Sequence, residues 1–198
     1  MNAKTKKFAT ISLVILVSLI FTVFICNAFL PKQMFHGDYP YYPSVESITS
    51  AADVIIVGEV VTAKNVKNLM VDQTPNKADK ETTPYTISTI RVVNVIKGNV
   101  KVGDIITIKQ LGDYKNKPEE TLYKMDGYLD KDTEHLMFLC EYESSPFSPV
   151  NPAQGIVEVK NGVLVSNNRY SLWGYTNGTE RAKDSLNTVI ESIKQFTK

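Results

Sequence analysis

The longest uninterrupted apolar segment of the chain lies near its N-terminus. Residues 8–30 contain no charged side chain. As an α-helix they would extend about 34 Å, which is enough to cross a bilayer core of about 30 Å. Apolar residues surround such a helix on all sides, whereas a helix of a soluble domain shows one apolar stripe. The segment therefore predicts a transmembrane signal-anchor.

Charges on either side of this segment predict its orientation. Lys4, Lys6 and Lys7 precede it, whereas only Lys32 follows it closely. Under the positive-inside rule the N-terminus is then cytoplasmic, and the chain after the segment lies outside. We therefore expect a single-pass protein of the cell membrane in which residues 1–7 form a cytoplasmic tail.

Cleavage of the segment is the alternative to its retention as an anchor. Cys26 and Ala28 are small residues at the −3 and −1 positions of a cut after Ala28, which would release the rest as a secreted protein. The apolar run is longer than a typical signal-peptide core of about 7–15 residues, which favours retention. Either outcome exports the body of the protein.

Beyond the anchor, the hydrophobic pattern changes twice. Residues 31–43 mix prolines with tyrosines, which predicts an extended tether. Residues 44–198 carry short apolar runs separated by turns, and we expect them to form one extracytoplasmic domain. Ser44 is a predicted N-cap, and Ile48 and Ala52 share one face of a short helix behind it.

The apolar runs of this domain are typical of β-strands. Most are rich in β-branched residues, which favour strands over helices. Gly58 predicts a bulge or bend, and the apolar parity shifts at residues 91–93, as a bulge requires. Strands are predicted at residues 54–63, 84–96, 105–111, 136–140, 156–160 and 163–165.

Turns and loops between these strands have signals of their own. Asn161 and Gly162 form the dipeptide with the strongest short hairpin signal. Residues 67–83 are mostly polar and lack a sustained period, which predicts a long exposed loop. Cys140 ends the most apolar strand, and we expect its thiol to be buried.

The C-terminal region predicts an amphipathic helix. Its apolar residues recur with helical spacing, so one face needs a partner surface. Five or six strands between two helices favour a mainly β fold, a small antiparallel OB-like β-barrel. The residues of the apolar helical face are Ala182, Leu186, Val189, Ile190, Ile193 and Phe196.

Several short segments carry a resemblance to a known group of proteins. They read ADVIIVGEV from Ala52, VNVIKG from Val93, VGD from Val102, LMFL from Leu136 and NG from Asn161. Their succession resembles uncharacterised membrane-anchored exported proteins of low-GC Gram-positive bacteria. The barrels of those proteins are similar to the OB-like domain of netrin modules and tissue inhibitors of metalloproteinases. The resemblance implies the same barrel over residues 44–165, but the inhibitors' zinc-chelating cysteine and disulfides have no counterpart here.

Charge balance argues against one class of partner. The chain has 22 basic and 21 acidic residues, and without the three N-terminal lysines 19 basic residues face 21 acidic ones, a net charge of −2. Nucleic-acid-binding proteins usually carry a basic excess, so no nucleic-acid partner is expected. Cys26 and Cys140 are the only cysteines, and because Cys26 lies in the anchor they predict no disulfide within the domain.

One aromatic segment is a candidate ligand-binding surface. Residues 169–175 interleave aromatic side chains with a cation, as sugar- and peptide-binding surfaces do. Arg169, Trp173 and Tyr175 are the candidate binding residues. Packing of the apolar members against the C-terminal helix is the alternative, and it is the favoured interpretation.

Carboxylates and histidines are the candidate metal ligands in the sequence. Four carboxylates in one segment offer hard oxygen ligands that could hold calcium outside the cell, although a solvated acidic loop is the simpler interpretation. His36 and His135 are far apart and have no Cys or His partner at ligand spacing, so no zinc site is expected, and His135 is predicted as a strand-edge histidine. The four carboxylates are Asp126, Asp130, Asp132 and Glu134.

Catalytic and cofactor motifs are absent from the sequence. Residues 98–103 have the glycine spacing of a phosphate loop but lack the Lys and Ser/Thr that must follow, and no nucleophile elbow occurs. We therefore expect a binding or interaction module without cofactor or catalytic centre, attached to the membrane through residues 8–30. A cell-surface protein or polysaccharide is the expected partner. The alternative is a cell-envelope hydrolase with a carboxylate-based site that the sequence does not reveal.

Overall fold

A computed structural model describes residues 39–70, 82–115, 127–166, 171–173 and 184–197. Within these ranges the chain forms seven strands and two helices. Neither helix is long and apolar enough to cross a membrane, and the predicted anchor lies outside the described ranges. The elements are α1 (Val45–Ala51), β1 (Val54–Met70), β2 (Thr82–Lys97), β3 (Ile105–Leu111), β4 (Glu134–Cys140), β5 (Ser148–Pro149), β6 (Ile156–Lys160), β7 (Val163–Val165) and α2 (Leu186–Lys194).

The strands form one antiparallel sheet, so the predicted mainly β class is confirmed. Their order is β3-β2-β1-β4-β6-β7, and β5 pairs with β4. The chain just before β5 also reaches β3. There the Phe147 N–H donates to the Thr107 carbonyl at 3.0 Å, and the Lys109 N–H donates to the Phe147 carbonyl at 2.8 Å. Phe147 thereby forms a parallel bridge with Ile108.

Apolar side chains form two cores, one on each face of β1. Val54 and Ile56 belong to the first core, and Ile55 and Val57 belong to the second. Because successive strand residues point to opposite faces, this alternation buries β1 on both sides. We call the first the strand core and the second, which includes residues of α1 and α2, the helix core. The strand core consists of Val54, Ile56, Val60, Ile90, Val92, Ile106, Ile108, Leu129, Met137 and Leu139.

The bulge predicted at residues 91–93 is confirmed by the pairing of β1 with β2. Val57 pairs with Asn94, whereas the next residue, Gly58, pairs with Val92, so one residue of β2 stays unpaired between them. An extra residue in one strand is what defines a β-bulge. The parity shift in the sequence therefore had a local structural cause.

Other local signals also place elements as predicted. Ser44 caps α1, and its hydroxyl accepts a hydrogen bond from the Ser47 N–H at 3.2 Å. Asn161 and Gly162 join β6 to β7 with φ angles of 52° and 73°, both in the left-handed region that a two-residue hairpin turn requires.

The amphipathic C-terminal helix is present but shorter than its apolar pattern. Val189, Ile190 and Ile193 of α2 are buried in the helix core. Phe196 lies beyond the end of α2 and is 39% exposed, and Ala182 lies outside the described residues. The helical face therefore begins at Leu186, whose side chain packs against the helix core.

Two local predictions are wrong. The exposed loop was expected over residues 67–83, but β1 and β2 extend into both of its ends, and Lys67 pairs with Tyr85. Backbone pairing in an antiparallel hairpin needs no apolar side chain, so a polar sequence does not stop it.

The second wrong prediction concerns Cys140, which is half-buried instead of buried. The pairing of β4 with β1 ends one residue earlier, at Leu139, which leaves the thiol partly uncovered.

Candidate functional site

Two tyrosine rings lie within cation–π distance of one lysine on the surface of the sheet, and a third tyrosine interacts with both. The Nζ atom of Lys109 in β3 lies 4.1 Å from the ring centroid of Tyr142 and 5.6 Å from that of Tyr85 in β2. Both distances allow a cation–π interaction. Tyr39, which precedes α1, interacts electrostatically with Tyr85 and Tyr142. We call these four residues the tyrosine–lysine patch.

Strand register explains why Lys109 and Tyr85 share a face. Tyr85 pairs with Leu111, and Ile87 pairs with Lys109, so Tyr85 and Lys109 are diagonal neighbours across the two strands. Ile108 points into the strand core, and the following residue must therefore point to the opposite face. The patch thus lies on the side of β2 and β3 that faces away from the strand core.

The ammonium group of Lys109 is partly removed from water. It donates a hydrogen bond to Ser145 Oγ at 2.7 Å. Burial lowers the pKa of Lys109, and the nearby Cys140 thiol acts in the opposite direction. Among the described residues, Lys109 forms no ion pair with a carboxylate. Its described partners are therefore neutral, two ring faces and one hydroxyl group.

The tyrosine side chains of the patch are only partly covered by the protein. Burial raises the pKa of Tyr39, and the hydroxyls of Tyr85 and Tyr142 raise it further. Burial also raises the pKa of Tyr85. Tyr39 and Tyr142 are nevertheless 40% and 45% exposed, and the Tyr142 hydroxyl lies 2.9 Å from Ser148 Oγ. The patch combines exposed aromatic surface with hydroxyl groups and one cation.

Two amide side chains fasten the end of the tether to the domain. Gln154 donates from Nε2 to the Tyr42 carbonyl at 2.8 Å and accepts at Oε1 from the Tyr42 N–H at 2.9 Å. Asn151 Nδ2 donates to the Pro40 carbonyl at 2.7 Å. We call Asn151 and Gln154 the amide clamp. Because the clamp binds the chain immediately after Tyr39, it helps to hold that ring at the patch.

A second polar feature is a cavity of about 80 Å³ beside the start of β4, and His135 lines it. The Thr133 hydroxyl donates to the Asp130 carbonyl at 2.5 Å and lies 2.8 Å from His135 Nε2. Because the hydroxyl proton is already used, Nε2 must donate, which assigns the neutral-ring proton to Nε2. His135 Nδ1 is buried without a hydrogen-bond partner.

Burial keeps His135 uncharged. It lowers the pKa of His135 to about 4, although Glu158 and Asp130 oppose the shift. His135 is the second residue of β4, beside the apolar residues 136–140, and β4 pairs with β1 on one side and β6 on the other. Gly58 and Glu158 lie opposite His135 on these two neighbours. The ring is only 9% exposed as a result.

The predicted carboxylates are spread over the chain that leads into β4. Asp130 lines the His135 cavity, Asp132 forms an exposed ion pair with Lys131 at 3.6 Å, and Glu134 begins β4. Asp126 lies outside the described residues. In the described part of the chain, no three His, Cys, Asp or Glu side chains could together hold a metal ion. Calcium binding that involves Asp126 stays a prediction.

The predicted aromatic surface is only partly described. Trp173 is 6% exposed and stacks on Phe138, with ring centroids 5.5 Å apart and ring planes at 9°. It therefore packs in the helix core. Arg169 and Tyr175 lie outside the described residues, so a binding surface at these two positions stays a prediction.

Sequence reasoning did not find the tyrosine–lysine patch. Its members lie on separate strands and connections, and no motif links them along the chain. One local signal was available, because Lys109 lies between Ile108 and Gln110, which are both buried. That alternation marks Lys109 as outward-facing but does not show which rings surround it.

No protein-family model matches the sequence, and no curated protein matches it significantly. The functional conclusion therefore depends on the geometry of the patch and on the sequence.

Proposed function

We propose that this protein is a membrane-anchored extracytoplasmic binding module, and that the tyrosine–lysine patch is its ligand-binding face. The observation that carries the proposal is a partly buried cation held against two tyrosine rings at a surface open to solvent. Ligand sites combine aromatic surface with a few placed polar groups, and binding energy concentrates in aromatic anchors. In this proposal the protein is not an enzyme and needs no cofactor.

The anchor and its orientation are supported by the sequence. The uncharged residues 8–30 follow three lysines, which favours a cytoplasmic N-terminus and an exported domain. If the chain is instead cut after Ala28, the same module is secreted.

The OB-like barrel is the finer fold that we propose for the sheet. The two hydrogen bonds of Phe147 with β3 support it, because β5 pairs with β4 and would thereby close the order β1-β2-β3-β5-β4. In OB-folds, the face of the second and third strands and the loop before the last strand bind ligands. Tyr85, Lys109 and Tyr142 occupy these positions. The proposal agrees with the resemblance to exported proteins of low-GC Gram-positive bacteria.

Crosslinking in intact cells tests this function with the full-length protein. Tyr142→Ala and Lys109→Met should each lower the amount of crosslinked partner by about fivefold or more, because a well-placed anchor contributes about 1 kcal/mol or more. Thermal unfolding, followed by circular dichroism, should shift by no more than about 4 °C, because both side chains are partly exposed.

Matched variants separate this proposal from its alternatives. Lys101→Met removes another exposed lysine and should leave capture unchanged. Loss of capture only in Arg169→Ala and Tyr175→Ala would move the ligand surface to residues 169–175. Loss of capture or of turnover only on neutralising the acidic segment would favour the carboxylate-based hydrolase or the calcium site. The acidic residues to be replaced by amides are Asp126, Asp130, Asp132 and Glu134.

A further inference from the structure

Lys109 carries a charge without an anionic partner in the described residues. One of its three N–H groups donates to Ser145 Oγ, and two ring faces lie within cation–π distance. Removing a cation from water is unfavourable unless counter-charge or acceptors replace the lost hydration. An anion placed against the ammonium group would supply both. The surroundings of Lys109 are therefore complementary to a negatively charged group.

The tyrosines next to this cation offer surface of a second kind. Tyr39 and Tyr142 are partly exposed. Hydroxyl groups lie beside them, because Ser145 Oγ accepts from Lys109 Nζ and Ser148 Oγ lies 2.9 Å from the Tyr142 hydroxyl. A pyranose ring has an apolar C–H face and a rim of hydroxyl groups. Its face packs against an aromatic ring, and its rim exchanges hydrogen bonds with surrounding hydroxyls. The patch matches both parts of such a ring.

From these two observations we propose that the tyrosine–lysine patch binds a saccharide that carries a single carboxylate. The sugar ring packs on the exposed tyrosine surface, and the carboxylate accepts a charge-assisted hydrogen bond from Lys109 Nζ. This inference rests on the proposed function, because it assigns a ligand class to the same site. It involves binding alone and no covalent step.

The charges around the patch favour one negative group over many. Glu141 and Glu143 flank Tyr142 in the sequence and are exposed. Lys109 is the cation of the patch, and the exported chain has 19 basic against 21 acidic residues. A nucleic acid or an anionic lipid surface draws its affinity from several basic residues and would be repelled by these carboxylates. A saccharide with one carboxylate needs only one cation.

Calorimetric titration of the full-length protein in neutral detergent tests the ligand class. The probes are a trisaccharide with one hexuronic acid residue, the same trisaccharide with its carboxyl group reduced to an alcohol, and acetate. The acidic trisaccharide should bind about tenfold more tightly than the reduced one, because only it pairs with the lysine. Acetate should bind much more weakly than either, since it makes no ring contacts.

Variants assign the effect to individual side chains. Lys109→Met should bring the acidic and reduced trisaccharides to the same affinity, whereas Lys109→Arg should keep the preference because it keeps the charge. Tyr142→Ala should weaken both trisaccharides by a similar factor. Lys101→Met, the matched control, should change neither. Ring-labelled tyrosine resonances of Tyr85 and Tyr142 should shift on binding, which places the ligand at the patch.

Several results would overturn the ligand class. These are equal affinity of the acidic and reduced forms, acetate binding as tight as that of the acidic trisaccharide, and no detectable binding of either trisaccharide. Tighter binding of a single-stranded oligonucleotide or of vesicles containing phosphatidylglycerol would also overturn it. The proposed function is judged separately by crosslinking. If patch variants lose the crosslinked partner while no saccharide binds, the proposed binding function is supported and the proposed ligand class is wrong.

Discussion

The His135 cavity and the tyrosine–lysine patch each bury part of a basic side chain, with opposite results. Burial lowers the pKa of His135 to about 4, so the ring is neutral in ordinary conditions. Burial also lowers the pKa of Lys109, but that group starts far above neutrality and stays a cation. The neighbours differ as well, since Lys109 faces two rings and a hydroxyl while one nitrogen of His135 has no partner.

This difference assigns different roles to the two regions. A proton on His135 would place a charge on a residue that is only 9% exposed, so the protonation of His135 is coupled to the free energy of unfolding. Lys109 is only partly buried and lies beside exposed rings, so under the proposed function its charge acts on the ligand and not on folding. We therefore expect changes at the cavity to act on stability and changes at the patch to act on binding.

The largest expected effect is the loss of stability in acid. His135 is neutral in the folded state down to about pH 4 but accepts a proton near pH 6.5 when unfolded. The unfolded state therefore binds more protons between these values, and protonation stabilises it more strongly as the pH falls. The free energy of unfolding should drop by about 3 kcal/mol from this group between pH 6.5 and pH 4. Urea unfolding at several pH values measures it.

A variant without a titrating ring isolates this contribution. His135→Gln lacks an ionisable group, so its stability should fall less steeply with acid than that of the parent protein. The carboxylates of the chain are the same in both proteins, so their contributions to the pH dependence cancel in the difference. Parallel curves for the two proteins would show that His135 does not carry the acid sensitivity.

The second effect concerns the amide clamp and separates the patch from the cavity. Gln154→Ala removes both hydrogen bonds to the Tyr42 backbone and should lower the free energy of unfolding by about 2 kcal/mol. The pKa of Tyr39 should fall toward its ordinary value, because the burial that raises it is lost. Urea unfolding and a pH titration of labelled tyrosine rings measure the two changes.

The acid sensitivity due to His135 should survive Gln154→Ala, because the clamp does not contact the cavity. Gln195→Ala, at an exposed glutamine after α2, is the matched control and should leave stability and the pKa of Tyr39 unchanged. An unchanged pKa of Tyr39 in Gln154→Ala would mean that the ring stays at the patch without the clamp.

The smallest effect compares two lysines. Lys97 Nζ donates to the Thr49 carbonyl at 2.9 Å and to the Ala52 carbonyl, at the C-terminal end of α1. Lys97→Met should lower the free energy of unfolding by about 1–2 kcal/mol, because it removes charged hydrogen bonds at a helix end. Lys109→Met should lower it by less than about 1 kcal/mol. Urea unfolding of both variants tests which one loses more stability. A larger decrease in the free energy of unfolding for Lys109→Met than for Lys97→Met would contradict a role of Lys109 in binding alone.

Much of the strand framework could be predicted because its signals are local. Residues 105–111 include three isoleucines and lie between the turn residues Asp104 and Gly112, and β3 occupies the same positions. Asn161 and Gly162 specify a turn by their own backbone preferences, so the β6–β7 hairpin could be placed to the residue. Backbone pairing beyond the apolar pattern, as at the far end of β1, has no such side-chain signal.

The patch could not be predicted because its members meet only in the folded sheet. Tyr142 reaches Lys109 because β5 holds the chain after β4 beside β3. Tyr39 lies there because a glutamine and an asparagine far along the chain bind the backbone next to it. Neither interaction follows a sequence period. Trp173, by contrast, had both a packing and a binding interpretation, and the stack on Phe138 favours packing.

The amide clamp has a mechanical consequence. If the N-terminal segment is fixed in a membrane, any pull between that membrane and the domain enters through the backbone at Tyr39. The hydrogen bonds from Asn151 and Gln154 to Pro40 and Tyr42 would carry this load before the sheet does. On the tether these hydrogen bonds use main-chain groups, so the contact does not depend on which side chains the tether carries. Tension that opens the clamp would draw Tyr39 away from Tyr85 and Tyr142, so under the proposed function mechanical load and ligand occupancy would oppose each other.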